Sequence, residues 1–497
     1  MFTGSGAGSF RFTADQGTVF RKQSITLKAY ENSVIPDSFT RPYLILFYGD
    51  MCLPCVQAES IWQRIVSDME PLGVQFATIH SQHESVLARK IGVNSLPYVI
   101  GVADGLVKHF RENQLNLVKS IEFIRRLLPR NLITSVDDSN YADFLNGWSD
   151  NRVRVIFVNN EKVVRLRYLL LAFKFRERSA AGHMCLSPDS PPSDAFTTRY
   201  GLDRKMDSML IFNEYTSRPI ATLSAHELKS TIMNDVLESN KFLALPRLSS
   251  QSLFDQLCPA ESIRTRRKLC IVLVTNNIPE HDIHREAMRQ FVKEHSFPKD
   301  RYRFMFILQE KQKDFISALA TGLPSDAPVL HVAVFWRREA DRVLFEWLRH
   351  EWDARDELRL NATRAELRTL LKKLSQNVEN FANDVRFPAL IDEQAHGFIG
   401  KIVKKILVMT DGMTENISQK EILPIVSVAL SLGFILLIGY IMQYLVKMEE
   451  ESIQERYRRL GRAPPGASQP KYVFLILSDL LFLTMLLLIY SQTRTET

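Results

Sequence analysis

The stretch Pro42-Tyr-Leu-Ile-Leu-Phe-Tyr-Gly-Asp-Met-Cys-Leu-Pro-Cys55 decides how the chain is read. Its first half is a continuous apolar run of strand length, the pattern of a buried parallel strand covered on both faces. Its second half is a Gly-Asp turn leading into a CxxC, Cys52 and Cys55. Beyond it, Val56, Ile61, Trp62, Ile65, Val66 and Met69 recur at helical spacing over 56–72 and predict one buried face. Residues 73–80 read as a second strand and 87–91 as a short helix. A third strand opens at Pro97, Gly105 marks a hairpin turn, and 117–128 closes the unit as a helix. The order is strand, CxxC, helix, strand, helix, proline, strand, strand, helix.

A helix N-terminus carries partial positive charge and free N–H groups, which favour a thiolate on the first cysteine of such a motif. The second cysteine, one turn along, can resolve a mixed disulfide. The arrangement closely resembles the thioredoxin family. The resemblance implies Cys52 as attacking thiol, Cys55 as resolving thiol and Pro97 as the cis-proline packed against them. Three positions depart from the family: Met51 stands where a Trp is usual, Leu46 where the buried acid is usual, and Ser60 where the helix carries a proline. Without the buried carboxylate the resolving thiol lacks its usual proton acceptor. Two readings therefore stay open: a thiol-disulfide enzyme, or a scaffold whose thiol holds clients without turnover.

A CxxC can also belong to a zinc site, but no second CxxC exists and no histidine stands at zinc-ligand spacing beside this one. The pairs His80/His83 and His281/His284 lack a third ligand nearby in sequence and are read as solvated or capping histidines. No metal or other cofactor is expected beyond a redox-active Cys52–Cys55 disulfide.

The apolar run recurs. Val153-Arg-Val-Ile-Phe-Val-Asn-Asn160 and Lys268-Leu-Cys-Ile-Val-Leu-Val-Thr-Asn276 align with Tyr43-Leu-Ile-Leu-Phe-Tyr-Gly-Asp50. The repeats are about 110 residues apart, one domain length. Arg89-Lys-Ile-Gly-Val-Asn-Ser-Leu-Pro-Tyr-Val-Ile100 finds a counterpart in 199–211, and Pro328-Val-Leu-His-Val-Ala-Val-Phe335 fills the same place in the third repeat. The later repeats have no CxxC. This plan resembles the a-b-b′ layout of protein disulfide isomerases, whose b domains bind unfolded clients. Cys258 and Cys270 are read as small buried hydrophobes, with a disulfide between them as the second choice. Linkers are expected at 135–140 and 240–252, a turn-rich insertion at 185–193, and a charged closing helix at 355–373.

Composition agrees with a globular chain of about three domains. Apolar residues make up 45% and charged residues 24% of 497 residues, which excludes a disordered or collagen-like chain. The net charge of +7 is too diffuse to mark a nucleic-acid footprint. Five cysteines are too few for a secreted disulfide framework. Apolar residues concentrate near the C-terminus. Residues 422–446 carry no Lys, Arg, Asp or Glu, and as a helix of about 37 Å they would cross a bilayer core of about 30 Å with some tilt. Residues 472–490 hold one charge, Asp479, and form a candidate second span. Between them lie Lys447, Arg456, Arg458, Arg459, Arg462 and Lys471, against Lys404, Lys405 and Lys420 on the other side. The positive-inside rule makes 447–471 cytoplasmic and the N-terminal region lumenal.

A narrower resemblance rests on Val34-Ile-Pro-Asp-Ser-Phe39, Arg41-Pro-Tyr-Leu-Ile45, Leu127-Leu-Pro-Arg-Asn-Leu132, Asn140-Tyr-Ala-Asp-Phe-Leu-Asn-Gly-Trp148 and Leu257-Cys-Pro259. These resemble the thioredoxin-bearing branch of the DnaJ homolog subfamily C. Such proteins carry a signal peptide, a J domain, a Gly/Phe linker, thioredoxin-like domains and a membrane span. This chain has no HPD tripeptide, so the J domain is absent from it, and its start reads as a linker cut partway. The first 22 residues lack an apolar signal core; either the span directs translocation or an N-terminal part is missing.

The expected fold class is α/β: tandem thioredoxin-like domains followed by one or two C-terminal transmembrane helices. The layout is a Gly/Phe/Ser linker at 1–22, thioredoxin-like domains at 23–134, 141–245 and 250–376, and an amphipathic juxtamembrane segment at 377–421. A span at 422–446, a basic loop at 447–471 and the candidate span at 472–490 follow. The implied function is a membrane-anchored, co-chaperone-like protein of the endoplasmic reticulum. Its partners are unfolded client polypeptides, the membrane, and Hsp70 only where a J domain is present; nucleic acid is not expected. Of two glycosylation sequons, Asn361 is the better candidate, since Asn416 lies close to the span.

Overall fold

The apolar run at 43–48 forms β1 (Tyr43–Tyr48), in which all but the first residue are buried. In the computed structural model, which describes residues 24–393 except 113, 188–193, 261–267, 296, 321–322, 324–327 and 377–380, this strand is central to a four-stranded sheet. It pairs in parallel with β2 (Gln75–His80) and antiparallel with β3 (Tyr98–Ala103), which turns at Gly105 into β4 (Leu106–His109). The order is β2-β1-β3-β4. The strand's period of two divides its side chains between two cores. Leu44, Leu46 and Tyr48 pack with Trp62, Ile65 and Met69 of α1 (Leu53–Met69). Ile45 and Phe47 pack on the other face with Leu87 and Ala88 of α2 (Ser85–Ile91) and with Tyr30 and Val34 of a helical segment before β1. Helix α3 (Leu117–Leu127) covers the first face. A Cβ on Gly101 would come within 2.7 Å of Phe123 and 2.8 Å of Leu127, so the strand admits only glycine there without displacement.

The buried face of α1 differs from the expected one. Val56 and Ile61 are 37% and 42% exposed, whereas Cys55, Ala58, Glu59, Trp62, Ile65 and Met69 are buried. The helix begins at the CxxC rather than after it, and burying Cys55 fixes its rotation. Its last turn tightens into a 3₁₀ turn at Glu70–Leu72.

The second sheet takes strands β5 (Ile133–Ser135), β6 (Val153–Asn159), β7 (Ser179–Cys185), β8 (Ser208–Phe212) and β9 (Ala221–Ser224), in the order β5-β7-β6-β8-β9. Around it lie α4 (Tyr141–Asn146), α5 (Leu166–Phe175), α6 (Asp194–Tyr200) and α7 (Ser230–Asn240). After α8 (Gln251–Leu257) comes the third sheet, from β10 (Leu269–Thr275), β11 (Tyr302–Leu308), β12 (Val332–Arg337), β13 (Arg342–Trp347) and β14 (Asn383–Arg386), in the order β11-β10-β12-β13-β14. Its helices are α9 (Asp282–His295), α10 (Lys313–Ala318) and α11 (Glu357–Gln376). Four strands thus repeat three times with the same pairing; the second sheet adds a strand at one edge and the third at the other.

Those added strands move the expected boundaries. Strand β5 pairs with β7, so the second sheet begins at Ile133, ahead of 141. Strand β14 pairs with β13, and Phe387 and Leu390 enter the third core, so that unit runs past 376 into the segment read as juxtamembrane. The expected linkers are ordered parts of the domains. Within 135–140, Val136 donates its N–H to His183 O. Within 240–252, Leu248 N–H donates to Phe306 O, and Arg247 exchanges two hydrogen bonds with Asn151. Among the described residues no helix is long and apolar enough to cross a membrane. The expected linker at 1–22, both candidate spans, the basic loop, Asn416 and residues 394–421 lie outside the described residues.

Candidate functional site

Cys52 caps the N-terminus of α1. Its Sγ accepts the Cys55 N–H at 3.2 Å, in the manner of the oxygen caps that satisfy first-turn donors. Pro54 stands in the first turn, where the N–H that proline lacks would have no helical acceptor. The two cysteines form a disulfide with Cα atoms 5.2 Å apart, inside the normal range. Cys55 is 3% exposed and Cys52 half-buried, so Cys52 reaches the surface and Cys55 faces the core. Met51, at φ 53°, holds a left-handed conformation uncommon for a residue with a Cβ. Its side chain is fully exposed, and Leu53 beside it is 59% exposed. An apolar rim therefore surrounds the reactive edge of the disulfide.

Pro97 lies where the strand pairing puts it. Phe47 opposes Tyr98, so the Leu96–Pro97 peptide, which is cis, stands beside the end of β1 that leads to the disulfide. Leu96 and Cys52 belong to the same apolar cluster as Cys55 and Trp62. The fold thus brings Cys52, Cys55 and Pro97 to one end of the central strands of the first sheet. Leu46 is fully buried and supplies no carboxylate. The buried acid of α1 is instead Glu59, whose carboxyl is pushed up by burial. Asn361 is not at this site. It is exposed in the second turn of α11, and the hydroxyl of its sequon residue Thr363 is buried and donates to Arg359 O at 2.9 Å.

One grouping escaped the sequence reading. The parallel register sets Tyr48 against His80, so β1 and β2 end together and Asp50 meets the histidine pair of 80 and 83. His80 Nε2 is 3.2 Å from Asp50 Oδ1, and the His80 and His83 rings stack with centroids 3.9 Å apart. His80 is 6% exposed and so is not a solvated histidine, and Asp50 is the third potential ligand that the sequence did not place. The signal available was the register of two parallel strands. His281 and His284 behave differently. Their Nδ1 atoms accept the Asn276 and Ala354 N–H groups, both at 2.9 Å, and burial pushes both imidazoles down.

Cys258 and Cys270, each 1% exposed, pair as a second disulfide, with Cα atoms 6.3 Å apart, instead of packing as separate thiols. The bond ties the end of α8 to β10. Cys185 is a half-buried free thiol at the end of β7. In the third domain, the end of the sheet corresponding to the CxxC end holds a cleft of about 660 Å³. It is lined by Asn276, Ile278, Glu310, Lys313, Leu323 and Pro328, a mixed polar and apolar wall.

Comparison with known proteins follows the same division of the chain. Residues 135–240 match a family model described as DJC16, Thioredoxin-like domain 2, and residues 247–382 match DJC16, Thioredoxin-like domain 3. DnaJ homolog subfamily C member 16 of Rattus norvegicus is 28% identical over 448 residues, covering 89% of this chain and 57% of that relative. The Homo sapiens protein of the same name is 27% identical over 470 residues, covering 92% of this chain and 59% of its own length. The chain thus spans somewhat more than half the length of the relatives it matches. Among solved structures, human ERp44 form II aligns at 13% identity and TM-score 0.34, over 75% of this chain and 93% of that one. ERdj5 form II aligns at 13% identity and TM-score 0.34, over 69% and 43%.

Proposed function

Because the chain is related to DnaJ homolog subfamily C member 16 through its thioredoxin-like domains, we propose that it is a membrane-anchored, co-chaperone-like protein that holds unfolded polypeptides in the endoplasmic reticulum. The observation that carries this reading is the CxxC end of the first sheet. It pairs a capped, half-buried Cys52 with an apolar rim of Met51 and Leu53, while Leu46 stands in place of a buried acid. The rim suits exposed apolar segments of a client, and Cys52 suits capture of its thiols. In the reduced state the Cys52 thiolate attacks a client disulfide, forming a mixed disulfide and releasing a client thiolate. The Cys55 thiolate must then attack Cys52 sulfur, which expels the reduced client and restores the Cys52–Cys55 disulfide. Leu46 leaves that second step without the usual carboxylate on β1 to take the Cys55 proton, which slows it and prolongs the mixed disulfide; Glu59, one turn beyond Cys55 on α1, is the buried acid that remains. The cleft of the third domain offers a second contact for the same client.

Attachment to the membrane through 422–446, with 472–490 as a second span and 447–471 in the cytosol, belongs to the same proposal. So does recruitment of Hsp70 wherever a J domain accompanies these domains in a longer form. The geometry of the N-capped Cys52, buried Cys55 and Pro97 favours a second reading, a membrane-bound thiol-disulfide oxidoreductase.

Insulin reduction separates the two. The holding role expects little turnover from the parent protein, and Cys55→Ser traps a mixed disulfide with a disulfide-bonded, unfolded substrate, releasing one substrate thiolate, that Cys52→Ser does not form. Rapid insulin reduction lost in Cys52→Ser selects the enzyme, and no adduct in Cys55→Ser removes both readings.

A further inference from the structure

We propose that Asp50, His80 and His83 form a binding site for a divalent transition cation of the zinc class, beside the disulfide. The candidate ligand atoms of the three residues all lie within 4.8 Å of one another. Two imidazoles and one carboxylate are a donor set for Zn²⁺, Co²⁺ or Fe²⁺ rather than for Mg²⁺ or Ca²⁺, which take oxygen ligands. Three protein ligands also leave a coordination position open, as in zinc sites that take water or a substrate group.

A second observation points to a ligand independently of the grouping. The His80 side chain is 7% exposed, and its Nε2 is buried without a hydrogen bond. Asp50 Oδ1 stands 3.2 Å away, yet the contact lacks hydrogen-bond geometry. Native proteins seldom leave such an atom unsatisfied, and a bound ion is one of the usual reasons. The neighbouring ring supplies the next ligand. His83 lies nearly parallel to His80, with 17° between the planes and centroids 3.9 Å apart, so the two imidazoles stand side by side.

Little has to move. Ligand bonds of about 2.1 Å at tetrahedral angles need donor atoms about 3.4 Å apart. Asp50 and His83 are both exposed and free to rotate inward, while His80 is held by the core. Binding at His80 Nε2 places the ring proton on Nδ1, which gives up the contact from the His83 N–H, at 3.4 Å a long and weak hydrogen bond. The sheet holds the parts in register: Tyr48 opposes His80, and Asp50 follows Tyr48 by two residues on the way to Cys52. A cation there adds positive charge on the approach to Cys52, the environment that favours a thiolate.

The test uses the full-length chain in detergent, stripped of metal by EDTA and kept with its disulfides oxidised so that Cys52 and Cys55 cannot ligate. Zn²⁺ is titrated in competition with a chromophoric chelator, and Co²⁺ is followed by its visible absorption. His83→Ala and Asp50→Asn change only exposed ligands, and circular dichroism checks that the fold is kept. The parent is expected to take up one high-affinity Zn²⁺ that either variant weakens by more than about tenfold, the least that loss even of an outer-shell partner typically costs. Absence of that Zn²⁺ in the parent, or equal affinity in parent and both variants, overturns the site.

Discussion

Burial acts with opposite signs on the titratable side chains of this fold. His183, His281 and His284 are buried, and that burial, ahead of any neighbouring charge, pushes each imidazole below its ordinary value. The unfolded chain therefore takes up protons near pH 6.5 that the folded chain refuses. Stability is full above that range and falls as the pH drops from about 7 towards 5. His284 is the sharpest case, since it is fully buried and its Nδ1 accepts the Ala354 N–H, a bond that a proton there would break. His284→Asn retains an acceptor but cannot titrate. Its unfolding midpoint should depend less on pH between 7 and 5.5 than that of the parent, measured by thermal melts at several pH values. Glu59 works the other way. Its raised carboxyl is favourable when protonated and costs stability once the pH rises above its folded value. Glu59→Gln should raise the melting temperature at pH 7 and change it little at pH 4; an unchanged or lower midpoint at pH 7 would sink this account. Neither effect was legible from the sequence, because an acid on a helix reads as solvated until the rotation of α1 is known.

At the scale of elements, β1, β6 and β10 were legible because each is a mainly apolar run buried along almost its whole length. Helix faces and linkers were not. The face of α1 was drawn through its apolar residues, yet Val56 and Ile61 face outward, beyond the half-turn that Cys55, Trp62 and Met69 bury. Helix α5 also has a role that periodicity cannot assign. Leu166, Leu170 and Phe173 join the first domain's cluster with Phe123 and Leu127, while Tyr168, Leu171 and Phe175 enter the second core. Arg176 continues the contact with an ion pair to Asp104 at 2.6 Å. One helix thus serves two domains, which is why 135–140 is ordered rather than a hinge. Phe173 is fully buried in this junction. Phe173→Ala should cost about 3–5 kcal/mol and let the first two domains unfold separately. Calorimetry should show one transition split into two, with faster protease cleavage near 128–133. A cost under about 1 kcal/mol with an unsplit transition would mean that the junction is not cooperative.

Across the whole molecule, one four-stranded plan is used three times, and only the first copy keeps a CxxC. That much follows from aligned runs in the sequence. The site around it was legible only where a recognisable spacing along the chain carries it. Cys52, Cys55 and Pro97 announce themselves by spacing, whereas Asp50 and His80 meet because two parallel strands end together. The proposed orientation across a membrane rests on two independent lines. By the positive-inside rule the basic residues of 447–471 would put that segment in the cytosol and the thioredoxin-like region in the lumen. The pairing of Cys258 with Cys270 in the third core suits the same side, because buried structural disulfides persist in oxidising compartments. The two lines can fail separately. Protease added to sealed microsomes should remove an epitope placed in 447–471 and leave the thioredoxin-like region intact until detergent is added. Alkylation under denaturing, non-reducing conditions should find Cys258 and Cys270 blocked. Cleavage of the thioredoxin-like region in sealed vesicles would place it in the reducing cytosol. A reduced Cys258–Cys270 pair would then be expected, and the lumenal holding role would fall with it.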